Sequence, residues 1–281
     1  MNFELNLPYD PLSTTHDYLR MSIDRLIRYG WGGCVLTVNV TTMKKLPPPP
    51  DPLPLSDRAK AYLEQQYGLY VLSDYPKFPQ FTRLNLITAE PVEVSLLSRS
   101  LPTLSYDIVS VTPLSDNVFK ELCSKADIDL ISLDVMKYQP KSCWKELKSA
   151  VNRDIAIELL YSNFLGTEVQ QKNIISACDS ICHSTKGRKQ KGRVILLSCG
   201  TDDPDLIRSP SDVKSIARLL QIRKFNQITS KMPKTVISRG LSRKSNAGII
   251  RKLREIPVEP SSNSDDDDDD FDIVIKDTPP K

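Results

Sequence analysis

Histidine is nearly missing from this chain: there are two in 281 residues, His16 and His183. Both fall in predicted helices. A Ser-His-Asp triad needs an imidazole at the mouth of a site, so that arrangement is not expected. No run of about 18 apolar residues occurs, so no membrane-spanning helix is expected. The opening Met1-Asn2-Phe3-Glu4-Leu5-Asn6 has no basic segment followed by an apolar one, and is not read as a secretory signal. No glycine fingerprint follows the first predicted strand, which works against an open dinucleotide-binding sheet. Acidic residues are absent from one whole stretch: residues 221–254 hold ten Lys or Arg and no Asp or Glu.

Six cysteines (Cys34, Cys123, Cys143, Cys178, Cys182 and Cys199) are scattered at spacings that do not read as a disulfide framework. They are expected to be reduced, mostly buried thiols of an intracellular protein. The sequon Asn39-Val40-Thr41 lies in a predicted strand and is given no function. Hydrophobic residues make up 40% of the chain, which supports a core and excludes wholesale disorder. The net charge of +3 hides a segregation, because residues 261–281 carry eight Asp against two Lys. A basic body with an acidic tail points to a polyanionic partner, nucleic acid first.

Apolar periodicity alternates between two kinds of segment. Strands are predicted at residues 3–7, 34–40, 81–88, 108–111, 128–134, 155–160, 193–198 and 234–238. Helices are predicted at 14–29, 56–67, 92–101, 115–126, 143–150, 167–183, 211–221 and 246–254. Thr14 or Thr15, Ser56 and Ser211 are the expected caps. Prolines at 47–50, 52 and 54 predict an extended stretch. Eight strand–helix units in about 250 residues fit a TIM-like (β/α)8 barrel over residues 1–254. Residues 255–281 are expected to form a disordered acidic tail.

Barrel enzymes keep their chemistry at the C-terminal ends of the strands. Those ends carry Asn6, Asn39, Thr88, Thr112, Asp134, Tyr161 and Ser198 or Cys199. Among these only Asp134 has acid, base or metal-ligating chemistry ready to hand. Glu158 falls mid-strand, where a buried carboxylate needs a partner; Arg153 and Arg208 are the candidates, and an ion pair bracing the barrel is the leading reading. Cys178 and Cys182 share a helix face at i, i+4, and packing explains them better than zinc. Gly30-Trp31-Gly32-Gly33 precedes a strand and reads as a turn.

The basic residues divide into a loop and a run. Lys186, Arg188, Lys189, Lys191 and Arg193 are interleaved with two glycines. Arg239, Arg243, Lys244, Arg251 and Lys252 follow. Together with Arg153 and Arg208, these are the expected RNA contacts. Few aromatics accompany them, so backbone and shape contact is expected over base stacking. In the tail, Ser262 and Ser264 precede aspartates as acidophilic phosphorylation sites do, and Ile273-Val274-Ile275 resembles a SUMO-interacting motif.

Several segments recur together in one family: Phe3-Glu4-Leu5-Asn6-Leu7-Pro8, Tyr106-Asp107 through Thr112-Pro113, and Asp127 through Asp134. Asn152-Arg153 with Glu158 through Ser162 follow, then Ser198 with Pro204, Ile207-Arg208, Pro210 and Asp212-Val213. In this order, over residues 3–222, they resemble the barrel-type, thirty-kilodalton protein subunit of eukaryotic and archaeal ribonuclease P, shared with RNase MRP. The resemblance implies a barrel related to PHP phosphoesterases that does not cleave RNA itself. It implies no cofactor bound by this chain, with Mg²⁺ used by the partner RNA. It implies a small α/β protein partner, precursor tRNA as substrate of the complex, precursor rRNA in RNase MRP, and a nuclear or nucleolar location. Where PHP enzymes carry a metal-binding His-x-His, this chain has Asn6 and Pro8. It also departs from the family at Gly166-Thr167, where Arg-Asp is common, and at Gln221, where Gly is expected. The rival reading is an active PHP-like metal phosphoesterase using Asp134 and Glu158; a third is a chromatin adaptor run by the acidic tail.

Overall fold

The computed structural model describes residues 1–13, 15–67, 78–100, 104–140, 146–184 and 195–246. Seven strands form one parallel sheet in sequence order: β1 (Phe3–Tyr9), β2 (Gly33–Val40), β3 (Gln80–Thr88), β4 (Ile108–Pro113), β5 (Leu130–Leu133), β6 (Ala156–Leu160) and β7 (Ile195–Ser198). Between and after them run α1 (Asp17–Arg28), α2 (Asp57–Tyr67), α3 (Pro91–Ser100), α4 (Asp116–Ser124), α5 (Leu147–Asn152), α6 (Glu168–Ser184), α7 (Pro210–Leu219) and α8 (Lys231–Asn246). Strand runs such as Cys34-Val35-Leu36 and Leu130-Ile131 are apolar on both faces because helices cover one side and the barrel interior the other. One compact unit spans Met1–Arg251. No helix among the described residues is long and apolar enough to cross a membrane.

The TIM-like class holds, with seven strands among the described residues. The segment expected as an eighth strand, residues 234–238, is part of α8. Val236 and Ile237 are buried there beside Gly240 and Lys244, a helical spacing that a five-residue window misreads as a strand. The last predicted helix, 246–254, falls almost wholly outside the described residues. In the eighth strand's place β1 and β7 face each other directly. Gly200 N donates to Asn6 O at 3.0 Å, and Cys199 N donates to the Glu4 carboxylate at 2.9 Å. A side chain therefore does part of a strand's work at this seam.

Other boundaries moved for local reasons. β1 continues through Pro8 to Tyr9. Beside this seam a missing N–H costs little. α1 starts after His16, which is left-handed (φ 50) and gives no side-chain cap, so the expected threonine cap is not the one used. α7 is capped by Ser209 and not by Ser211: Ser209 and Asp212 form a reciprocal capping box with Pro210 in the first turn. The prolines at 47–54 form an extended strap outside the barrel. The Tyr106 hydroxyl donates to Pro47 O and Pro48 O at 3.0 and 3.2 Å, and the Gln80 amide exchanges two bonds with the Leu53 backbone at 2.9 and 2.8 Å.

α8 lies against the N-terminal end of the barrel. Thr229, just before it, accepts from Phe3 N at 2.9 Å. Its Gly240 touches the strand entrance so closely that a Cβ there would sit 2.1 Å from Asp107 O.

Candidate functional site

The polar centre of the barrel is built around one ion pair. Arg83 on β3 and Glu158 on β6 are both fully buried. Arg83 Nη1 and Nη2 each donate to a separate Glu158 oxygen at 2.7 Å, the bidentate geometry that suits guanidinium and carboxylate. Arg83 Nη1 also reaches Leu5 O at 3.0 Å, and Nε reaches Ser110 Oγ at 2.7 Å. Ser132 and Ser198 hydroxyls donate to Glu158 at 2.5 Å each, and the Asn6 amide adds a longer bond at 3.3 Å. Burial alone would raise the Glu158 carboxyl, but the Arg83 charge and these hydrogen bonds outweigh it and hold it lowered. A bracing ion pair is what Glu158 makes. Its partner is Arg83, and neither Arg153 nor Arg208. The missed signal was Phe81-Thr82-Arg83-Leu84-Asn85-Leu86, where one cation breaks an apolar strand opposite another strand's lone carboxylate.

From Ser110 the network climbs towards the C-terminal mouth. Ser110 Oγ donates to Asn85 Oδ1 at 2.8 Å, and Asn85 Nδ2 donates to Asn39 Oδ1 at 2.8 Å and to Thr112 Oγ1 at 3.0 Å. Thr88 Oγ1 accepts from Glu90 N in the turn before α3. Asp134 accepts from Met136 N at 3.2 Å and pairs with Lys137 at 3.1 Å. Tyr161 is buried and accepts from Arg208 N at 3.3 Å. Burial pushes the Cys199 thiol up to about 12, with the Glu4 charge adding to it, so no thiolate stands at the end of β7.

His16 lies at the mouth after all, just outside α1, where its ring stacks on Tyr9 with centroids 4.5 Å apart. Among the described residues no group of three or more His, Cys, Asp or Glu side chains could hold a metal ion. Cys178 donates to Leu220 O at 3.4 Å inside the core, as packing requires.

Glu4 is the second buried carboxyl. Its Oε1 accepts from Asn6 N at 3.1 Å and Cys199 N at 2.9 Å, while Oε2 is buried with no hydrogen-bond partner. Burial pushes it up to about 8, against the pull of those two amides. Burial thus favours the neutral acid at Glu4, while Arg83 favours the carboxylate at Glu158.

Five of the residues expected to contact RNA are engaged within the chain. Arg153 donates to the carbonyls of Leu122, Cys123 and Ala126 at 2.6–2.7 Å, closing the C-terminal end of α4. Arg208 holds Asp205 O and Ile207 O at 2.8 and 3.1 Å. Arg239 reaches Arg153 O at 2.5 Å and Asp127 at 3.0 Å. Arg243 meets Asp129 at 3.1 Å, and Lys244 meets Asp107 at 2.6 Å with only 4% of its side chain exposed. Arg239, Arg243 and Lys244 spend their charge on aspartates at the N-terminal end of the barrel, whereas the Arg153 and Arg208 side chains bond to backbone carbonyls. A spacing argument sees cations but not the aspartates that open β4 and β5. Lys186, Arg188, Lys189, Lys191, Arg193, Arg251, Lys252, Ser262, Ser264 and Ile273-Val274-Ile275 lie outside the described residues.

A family sequence model described as RNase P subunit p30 matches residues 1–245. The chain belongs to this family. A chain in the cryo-EM structure of archaeal ribonuclease P with mature tRNA shares the fold, with a TM-score of 0.54 and 12% identity over 93% of this chain and all of that one. Similar proteins include ribonuclease P protein subunit drpp30 of Dictyostelium discoideum, 28% identical over 171 residues, which are 59% of this chain and 44% of that one. The mouse ribonuclease P protein subunit p30 is 26% identical over 178 residues, 62% of this chain and 65% of its own length. Protein GAMETOPHYTE DEFECTIVE 1 of Arabidopsis thaliana is 30% identical over 173 residues, 59% of this chain and 29% of its own. The matched part thus spans from under a third to just under two thirds of these relatives. Gln221 is left-handed (φ 56), a conformation that glycine adopts without strain and glutamine does not.

Proposed function

We propose that this chain is a non-catalytic protein subunit of ribonuclease P, bracing the RNA that removes 5′ leaders from precursor tRNA. The family match over residues 1–245 carries this reading. The barrel interior supports the non-catalytic part. Below the strand ends where a barrel enzyme keeps reacting groups, this chain ties Asn6 and Ser198 down to a mid-strand carboxylate, Glu158, that is already saturated by one guanidinium and a second hydroxyl. Both acids of the phosphoesterase reading are diverted, Glu158 to Arg83 and Asp134 to Lys137.

The finer parts of the reading are proposals as well. The chain also serves RNase MRP and precursor rRNA, resides in the nucleus and nucleolus, and pairs with a small α/β protein subunit. Mg²⁺ works on the RNA and not on this chain. Lys186, Arg188, Lys189, Lys191, Arg193, Arg251 and Lys252 are proposed to meet RNA phosphates, as are Arg153, Arg208, Arg239, Arg243 and Lys244 through whatever part of their cations the chain's own bonds leave accessible.

The test is to recover tagged chain from its native cells, sequence the bound RNA and assay the eluate. Enrichment of one or two structured RNAs, with 5′-leader removal from precursor tRNA, is the expected result. A tagged chain free of RNA, binding Mn²⁺ stoichiometrically and hydrolysing a phosphoester after dialysis, would overturn it. Fluorescence of the tagged chain checks the nuclear and nucleolar location.

A further inference from the structure

The acid-free part of the sequence is longer than the run of cations first suggests. From Val213 to Arg254 there are twelve Lys or Arg and no Asp or Glu. Arg239, Arg243 and Lys244 turn in onto aspartates. Arg218, Arg223, Lys224, Lys231 and Lys234 do the opposite: all five are exposed, and none forms an ion pair with a described residue. Elsewhere Lys60 pairs with Asp57 at 3.0 Å, Lys137 with Asp134 at 3.1 Å and Lys172 with Glu168 at 2.7 Å, while Lys44, Lys45, Arg58 and Lys120 are exposed without an ion pair to a described residue. The five differ from these in sharing one segment free of acids.

The five sit on a firm base. Thr229 ties their segment to the start of β1, through Phe3 N at 2.9 Å and Asn2 Oδ1 at 2.9 Å. Ile222 and Ile228 are buried on either side of Arg223 and Lys224. The Arg218 guanidinium lies 5.5 Å from the centre of the Phe225 ring. Ordered cations lose less freedom on meeting a ligand than cations on loose chain.

One feature opposes stability unless an anion arrives. Lys231 and Lys234 occupy the first turn of α8 with no acid there, and the positive end of a helix dipole disfavours cations. Gln221, left-handed at φ 56, closes the C-terminal end of α7, with Ile222 N donating to Ala217 O at 2.9 Å. Lys224, at φ 59, turns the chain again before Phe225.

We propose that Arg218, Arg223, Lys224, Lys231 and Lys234 form a docking face for RNA phosphates at the N-terminal end of the barrel, in addition to the cations expected from residues 186–193 in the sequence. The proposal rests on the ribonuclease P reading and gives it a location. Phe225 is the one aromatic among these residues, and Arg218 covers it. The face therefore reads backbone and shape, not stacked bases.

The test uses the full chain and a transcribed ribonuclease P RNA from the same cells. One variant changes all five residues to Gln. A control changes five other exposed cations, Lys44, Lys45, Arg58, Lys120 and Lys172, to Gln, so net charge falls equally. Circular dichroism melts check that both variants fold. The face variant is expected to bind at least ~30-fold more weakly at moderate salt, with the slope of log affinity against log salt smaller by about 3 to 4; the control keeps most of both. Equal losses in the two variants would overturn the face in favour of general charge. Wild-type binding that survives in the face variant would overturn it and leave the ribonuclease P reading standing. Retained RNA with loss of a co-purifying acidic protein would overturn it in favour of a protein partner. If the wild type neither binds the transcript nor recovers RNA from cells, both readings fall.

Discussion

Two halves of one basic run behave in opposite ways. Between Arg218 and Lys234 the cations face solvent without carboxylate partners, while between Arg239 and Lys244 they turn in and neutralise Asp107, Asp127 and Asp129. The sequence of the run holds no acid in either half. What separates the halves is the neighbour each is folded against. The second half of α8 lies over the entrances to β4 and β5, where aspartates wait 100 or more residues away in sequence. Charge density along a chain is thus a poor guide to charge offered to a partner. It has to be corrected for what the fold has already consumed.

The comparison can be broken most forcefully at its extreme case, the fully consumed cation. Arg83→Met strands a buried Glu158, and should cost about 3–5 kcal/mol in denaturant unfolding. A cost under about 1 kcal/mol would mean that Ser132, Ser198 and Asn6 hold the carboxylate without Arg83.

Glu4 supplies a pH test of the same interior. Its folded pKa lies near 8, above the unfolded value near 4.5, so the folded state binds the extra proton. The stability this contributes is present in full below about pH 4.5 and is lost as pH rises through 8. Glu4→Gln should remove that fall and leave the variant on the order of 2–4 kcal/mol more stable than wild type at pH 9. Parallel stability–pH curves for the two proteins would contradict the neutral acid.

Lys244→Met sharpens the contrast within the run. It removes the partner of the half-buried Asp107, so a loss of about 1–3 kcal/mol is expected, with little change in the salt slope of RNA binding. Lys231→Ala and Lys234→Ala should do the reverse. Their thermal midpoints should hold or rise slightly, by a few tenths of a kcal/mol from relief at the helix dipole, while each lowers the salt slope by about 0.7 to 0.9. If both classes shift stability and slope alike, the division of the run is wrong.

Much of the barrel was legible. Period and punctuation placed seven strands and seven of the helices, because parallel strands buried on both faces read as apolar runs. Ser56 and Ser115 were readable as helix starts from their positions alone, and both cap, at 3.1 and 3.4 Å. The eighth strand failed because residues 234–238 are too few to separate a period of 2 from one of 3.6. The site was harder. Glu158 needed a partner by any physical argument, yet sequence distance favoured Arg153, and the partner came from 75 residues upstream on β3. In a barrel, residues on distant strands meet across the axis, and no local pattern reports that. The inward turn of Arg243 and Lys244 was hidden in the same way. The outward turn of Lys231 and Lys234 becomes visible only once residues 231–246 are known to be one helix.

The seam between β1 and β7 has a consequence for how this barrel comes apart. Every other strand joint is a ladder, whereas this one hangs on the Gly200 amide and on a carboxyl that clasps Cys199. A clasp opens as a unit. In native-state hydrogen exchange, the Cys199 and Gly200 amides should lose their protection together and before those of β2 and β3, and should do so faster as alkali ionises Glu4. The ring would then unroll from this joint into a curved open sheet, with Arg83 and Glu158 still gripping each other across it.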